Sequence, residues 1–144
     1  MQDAFGGILN IVLVAVFLVI VEGILGFTVN YTKAFRMKNI VISSIEKYEA
    51  SPSCFGGVAS GDSDCRKSIQ NGAKGIGYHP SDLRCPTGYT KSDDFFCYKL
   101  NYTQVNKKYV YSVVTQVDIN IPIINKMMGL SFFQVNGDTR AFEK

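Results

Sequence analysis

The chain has 144 residues, 47% of them apolar, and a net charge of +3. That is room for about one domain, and the composition is too apolar and too weakly charged for a disordered chain. The positive charge is spread along the sequence without a basic aromatic platform, which excludes a nucleic-acid binder of the usual kind.

The apolar residues are not evenly distributed. From Gly6 to Val21 only Asn10 is polar, and beyond Glu22 the apolar run resumes to Val29. A bilayer needs about 20 residues of helix, so residues 1–29 are expected to hold a membrane span. A cleaved signal peptide fits less well, because no Lys or Arg precedes the run and the run exceeds the usual stretch of about 7–15 residues. Lys33, Arg36 and Lys38 follow the span, so the charge bias favours a cytoplasmic C-terminus. The four cysteines point the other way, to two disulfides in an oxidising compartment. The cysteines carry more weight, since a long C-terminal domain translocates despite a bias of three charges.

Nothing between Ile8 and Glu49 breaks a helix: no proline occurs there, and the only glycines are Gly23 and Gly26. About 42 residues at about 1.5 Å each make a rod of about 63 Å, twice the hydrocarbon thickness, so half of it must leave the membrane. In that half Phe27, Tyr31, Ala34, Val41, Ile45 and Tyr48 mark one face for packing, and Pro52 is expected to stop the helix. Residues 51–63 are turn-rich. A short helix is expected over Asp64–Lys74, capped by Ser63 or Asp64 and ending near Gly75 and Gly77, and residues 78–94 read as a surface loop.

The period then changes from helical to alternating. Phe96, Tyr98, Leu100 and Tyr102 alternate with polar or small residues, and Tyr109, Tyr111, Val113, Thr115, Val117, Ile119 and Ile121 alternate with Val110, Ser112, Val114, Gln116, Asp118 and Asn120 to give one more apolar face, with Thr103–Lys107 as a hairpin loop. A third strand is expected over about Leu130–Phe142 after the break "PIINKMMG". The fold class is therefore α+β: a long N-terminal helix whose exposed half packs on a small antiparallel sheet. The organisation expected is a membrane half at 1–29 and a head at 30–144, comprising a helix half (30–50), a cysteine-bearing region (51–94) and the sheet (95–144).

Four cysteines allow three pairings. The local one, Cys54 with Cys65 and Cys85 with Cys97, is preferred because each bond closes a short loop. Structural zinc prefers ligand pairs about two to four residues apart, and no two cysteines are that close. His79 is the single histidine and reads as an exposed loop residue. No G-x-S-x-G occurs, and "GAKGIG" (72–77) has a phosphate-loop composition without its spacing. No catalytic group, metal site or cofactor is expected, and the sequons at Asn30 and Asn101 are short enough to be chance.

Glu22 demands a reason, because a lone charge in hydrocarbon costs about 2.5–3.5 kcal/mol even on lenient scales. Two readings stand: the carboxylate is satisfied at the membrane boundary or by its own helix, or it pairs with a positive group of a neighbouring subunit inside a helix bundle. Gly23 and Gly26 would permit close helix approach.

Two stretches carry a family resemblance. "FLVIVEGILGFTVNYTKAFRMKNIV" (17–41) resembles the apolar run, glutamate-glycine region and amphipathic helix of TadE-like proteins, minor pilins or pseudopilins of the tight-adherence (Tad) type IV pilus machinery. "VVTQVDINIPIINKMMGLSFFQVNGDTRAFE" (113–143) is similar to their C-terminal pattern of strand, proline, short apolar segment with glycine, and last strand. One departure is visible: prepilins carry a glutamate five residues beyond the glycine at which they are cut, and here the residues at that distance from Gly6 and Gly7 are Ile11 and Val12. Glu22 corresponds to the family's later glutamate. The resemblance implies a non-enzymatic filament subunit held in the bacterial cytoplasmic membrane with its head outside, or displayed on the extracellular pilus. Its partners would be other pilin subunits and the assembly machinery, in a homo- or hetero-oligomeric filament acting in adhesion. Alternatives are the major filament subunit itself, or a single-pass anchored binding domain that does not polymerise.

Overall fold

A computed structural model describes residues 2–56, 64–103, 107–119 and 132–143, with the side chains of 2–5 and 103 excepted. A helix, α1 (Gln2–Lys47), runs unbroken into the head, as the absence of proline and the scarcity of glycine allow. After a 3-10 turn at Pro52–Cys54 comes a second helix, α2 (Asp64–Ile76). Among the described residues five antiparallel strands follow: β1 (Thr90–Lys91), β2 (Cys97–Thr103), β3 (Lys108–Asp118), β4 (Phe132–Asp138) and β5 (Phe142–Glu143). They form one sheet in the order β1-β2-β3-β4, with β5 on the same edge of β3 as β4.

The second half of α1 lies on this sheet. Ala34, Met37, Val41 and Ile45, three or four residues apart and so on one stripe of the helix, are fully buried against Phe96, Val113, Val117 and Ile69. Burying each of the larger side chains contributes about 1.5–3 kcal/mol. Two glycines allow the close fit. A Cβ at Gly72 would lie 2.6 Å from Ile40, and one at Gly137 would lie 2.8 Å from both Ile42 and Lys38, so α2 and β4 both touch α1 where they carry no side chain. The Thr115 hydroxyl donates to the Ala34 carbonyl at 2.9 Å, giving a buried polar group its partner.

Helix α1 ends at Lys47, before Pro52 has any part in stopping it. The Ala50 amide donates to the Ile45 carbonyl at 2.8 Å and the Glu49 amide to the Glu46 carbonyl at 3.4 Å, the bond pair of a Schellman turn. The left-handed residue such a turn needs is Glu49, at φ 49°, where glycine is usual. Glu49→Gly should therefore stabilise the head by about 0.5–1 kcal/mol, the relief of a left-handed strain of about 1–2 kcal/mol less the extra freedom of glycine in the unfolded chain. Thermal unfolding checks it, and an unchanged or lower midpoint would show that the turn is unstrained. Helix α2 ends the same way, with Gly77 at φ 63° and the Tyr78 amide bonded to the Ala73 carbonyl at 3.0 Å.

The sheet corrects several expectations. Residues 78–94 are not simply a surface loop: Tyr78 and Leu83 are buried, and Thr90–Lys91 pair with Tyr98 and Cys97 as an edge strand. Strand β3 is buried on both faces over Ser112–Val117, because the loop tied by Cys85–Cys97 covers the face that α1 does not. In β2 the alternation does not mark a buried face throughout, since Leu100 and Tyr102 are exposed beyond the part of the sheet that helices cover. The expected third strand is two. The register Ser112↔Asp138 becomes Tyr109↔Phe142, one residue out of step, so Thr139–Ala141 form a bulge. Thr139 keeps the ladder intact there, its amide donating to the Tyr111 carbonyl at 2.9 Å and its hydroxyl accepting from the Tyr111 amide at 3.1 Å. Ser63, most of the expected hairpin loop, Ile121 and the "PIINKMMG" break lie outside the described residues.

Candidate functional site

The first half of α1 is exposed from Gly6 onward, except at Val21 and Gly23, which are half-buried. Its most apolar 18-residue window has a mean hydropathy of 2.9, with none of it buried, and the helix is long and apolar enough to cross a membrane. Ile8, Leu9, Ile11, Phe17, Ile24 and Leu25 each expose 60% or more of their surface. Contiguous apolar exposure on this scale marks a surface that something else covers.

Within it Glu22 is exposed, and no hydrogen bond or ion pair to it is formed among the described residues. Gly23 is half-buried and Gly26 exposed. A Cβ at Gly26 would meet nothing within 4 Å, so no contact inside the chain requires a glycine there. Helical geometry separates the two glycines. Gly23 continues the stripe of Asn30, Ala34, Met37 and Val41 that reaches the sheet, whereas Glu22, one residue earlier, is turned about 100° away from it. Glu22, Gly26 and Lys33 fall on one face, four and then seven residues apart. An aromatic ladder occupies another face: Phe27 stacks on Tyr31 (6.1 Å) and Tyr31 on Phe35 (6.4 Å), with the Lys38 ammonium 4.2 Å from the Phe35 ring.

The head meets the free helix through a polar network. The Asn30 side-chain amide donates to the Asp118 carbonyl at 3.2 Å. Asp118 also accepts from the Ser81 amide and hydroxyl, both at 2.8 Å, and from the Gln116 side chain at 2.7 Å. Burial pushes the Asp118 carboxyl up, but these hydrogen bonds outweigh it and hold the group below its ordinary range. Gln116 further donates to the Asp82 carbonyl and accepts from the Arg84 amide. Its backbone is bonded twice to one side chain: the Tyr78 hydroxyl accepts from the Gln116 amide and donates to the Gln116 carbonyl, both at 2.9 Å. Strand β2 begins only at Cys97, and Phe95 before it turns away at φ 66°, so Tyr78 supplies the partner that β2 does not.

Sequence reasoning missed this junction. The signal that could have found it is polar Gln116 and Asp118 on a strand otherwise rich in valine.

The remaining expected site residues fall elsewhere. Cys54 bonds Cys65 and Cys85 bonds Cys97, the local pairing. The first bond joins the turn after α1 to α2, and the second joins the 81–97 loop to β2. His79 is exposed, its ring edge-on to Phe95 at 5.5 Å. The "GAKGIG" stretch is the last turns of α2 rather than a loop, so its amides are spent within the helix. No protein-family model, curated protein or solved structure matches the chain.

Proposed function

We propose that the chain is a non-enzymatic, pilin-like subunit of a bacterial type IV filament of the Tad kind, similar to TadE-like minor pilins. The observation that carries this reading is the division of α1: one unbroken helix whose second half packs in the core of the head and whose first half is exposed, apolar from Gly6 to Val29 apart from Asn10, Glu22 and Thr28. A lipid bilayer would cover the apolar residues, but it would not satisfy the carboxylate. A neighbouring helix would do both. Glu22 and Lys33 share a face three turns apart, so a second copy displaced by about 16 Å along the axis would set the Lys33 ammonium of one copy against the Glu22 carboxylate of the next. Gly26 between them leaves room for the approach.

In this reading the subunit waits in the cytoplasmic membrane with its head outside, where two disulfides can form, and enters the filament by helix packing. Intact-mass spectrometry of sheared surface filaments and of membranes tests it. Filament-borne protein lighter than its reduced form by about 4 Da, the hydrogens of two disulfides, is the expected result. Protein found only in membranes with four free thiols would overturn both the filament and the orientation.

A further inference from the structure

The end of the head farthest from the apolar half of α1 carries a pocket that neither anchoring nor filament packing uses. Its volume is about 320 Å³, and it is lined by Glu49, Tyr109, Arg140, Ala141, Phe142 and Glu143. The Tyr109 and Phe142 rings lie side by side, centroids 5.5 Å apart and planes 27° from parallel. Around them stand three acids, Glu46, Glu49 and Glu143, and two bases, Lys108 and Arg140. Glu143 pairs with Lys108 at 2.9 Å. Arg140 donates one N–H to the Glu46 carbonyl at 3.2 Å and sits 5.7 Å from the Phe142 ring centroid. Glu49 is exposed, with no ion pair among the described residues.

The backbone is arranged to hold these groups in place. Glu49 projects from the left-handed turn that ends α1, a conformation that costs a non-glycine residue energy. Arg140 projects from the bulge between β4 and β5, and that bulge is tied to α1 because the Arg140 amide donates to the Glu46 carboxylate at 2.7 Å. Two irregular segments, on different elements, thus converge on one aromatic pair.

The chemistry selects the ligand. Lys108 neutralises Glu143, and Arg140 offsets one of Glu46 and Glu49, so an anion gains no net attraction and one carboxylate is left over. What remains is a carboxylate that accepts, a guanidinium with N–H groups left to donate, and an aromatic wall. A sugar ring matches all three, its hydroxyls both donating and accepting while its C–H face lies on the rings. The volume is at the small end of the range of about 300–1,000 Å³ for ligand sites, enough for a single ring with room to spare. We propose that this pocket binds one neutral hexose residue, free or at the end of a surface glycan. The inference is independent of the filament reading, because an anchored chain that never polymerises would present the same pocket.

Saturation-transfer NMR on the full chain tests it, in a zwitterionic detergent without a sugar headgroup. The probes are glucose, galactose, mannose and N-acetylglucosamine, each as the free sugar and as its methyl glycoside. The expected result is transfer from aromatic protons of the protein to the C–H protons of at least one of them. Binding of the glycoside points to a chain-terminal residue, and binding of the free sugar alone to a soluble ligand. Glu49→Gly removes the carboxylate while relieving the turn, so it should weaken binding about tenfold without lowering the melting temperature. Arg140→Gln should weaken it similarly. No transfer to any of the eight probes, or undiminished binding in Glu49→Gly, would overturn the assignment.

Discussion

Glu22→Ala is expected to leave the protein in the membrane and to remove it from sheared filaments. The two effects have opposite signs in free energy, which is what makes the variant informative. Loss of the carboxylate removes a cost of about 2.5–3.5 kcal/mol from membrane insertion, so anchoring should improve if it changes at all. Packing against a second copy loses a charged partner at each contact and leaves the opposing Lys33 ammonium facing an apolar helix. Truncating one member of a desolvated pair costs about 2–5 kcal/mol, or about 30-fold to more than 10³-fold in association. Immunoblots of membrane and sheared fractions read both quantities from the same cells. Exchanging the charges, Glu22→Lys together with Lys33→Glu, should restore part of the filament signal if the two residues meet between copies. A Glu22→Ala protein that assembles normally would sink the filament reading and favour an anchored domain that does not polymerise.

Tyr78→Phe should destabilise the head by about 2–4 kcal/mol, because the change strands two backbone groups at once. The hydroxyl is the partner of both the Gln116 amide and the Gln116 carbonyl, and Tyr78 and Gln116 are both buried. An orphaned buried group costs about 1–3 kcal/mol, and phenylalanine offers neither a donor nor an acceptor. For a head of this size the melting temperature should fall by roughly 10 °C. Tyr102→Phe, at an exposed position, is the control and should change little. Alkaline pH offers a second readout. Burial pushes the Tyr78 hydroxyl up to about 12 from 10.0, with the Gln116 amide pulling it back and the Asp118 charge pushing it further. The unfolded chain therefore gives up this proton first. Stability from Tyr78 is complete below pH 10 and is lost as pH rises from 10 towards about 12. Burial also raises Tyr111, assisted by Tyr109 and Tyr98, so a second residue contributes to the alkaline slope. Tyr78→Phe should flatten that slope without abolishing it. A melting temperature unchanged to within a degree or two would mean that Gln116 finds other partners.

The parts of the architecture legible in advance were those set by local pattern. An uninterrupted apolar run followed by a one-sided apolar stripe predicts α1, and Ala34, Val41 and Ile45 are among its buried residues. Alternation predicts β3 at nearly its full length, and the wide spacing of the cysteines favours disulfides over metal. What could not be read there depends on residues far apart in the chain. Glu49 stands where a helix-ending glycine would be recognised, so the sequence alone assigns the end of α1 to Pro52. Thr139 interrupts the last strand because its hydroxyl replaces a ladder bond to Tyr111, and nothing in the alternating residues announces that exchange.

By itself, then, the sequence determined that the chain has a long helix, that one half of this helix cannot remain in water uncovered, and that a lone carboxylate lies in that half. These follow from composition and period, which act over a turn of helix or a pair of strand residues. The tertiary structure decided which residues pair across the fold. It placed Tyr78 on the backbone of Gln116, laid the 81–97 loop over the second face of β3, and brought Glu49 and Arg140 to one aromatic pair. Each of these contacts joins segments that are not neighbours in the chain, Tyr78 and Gln116 being 38 residues apart. Its partner is selected by which buried polar group or uncovered surface is still unsatisfied once the helix and the sheet have packed.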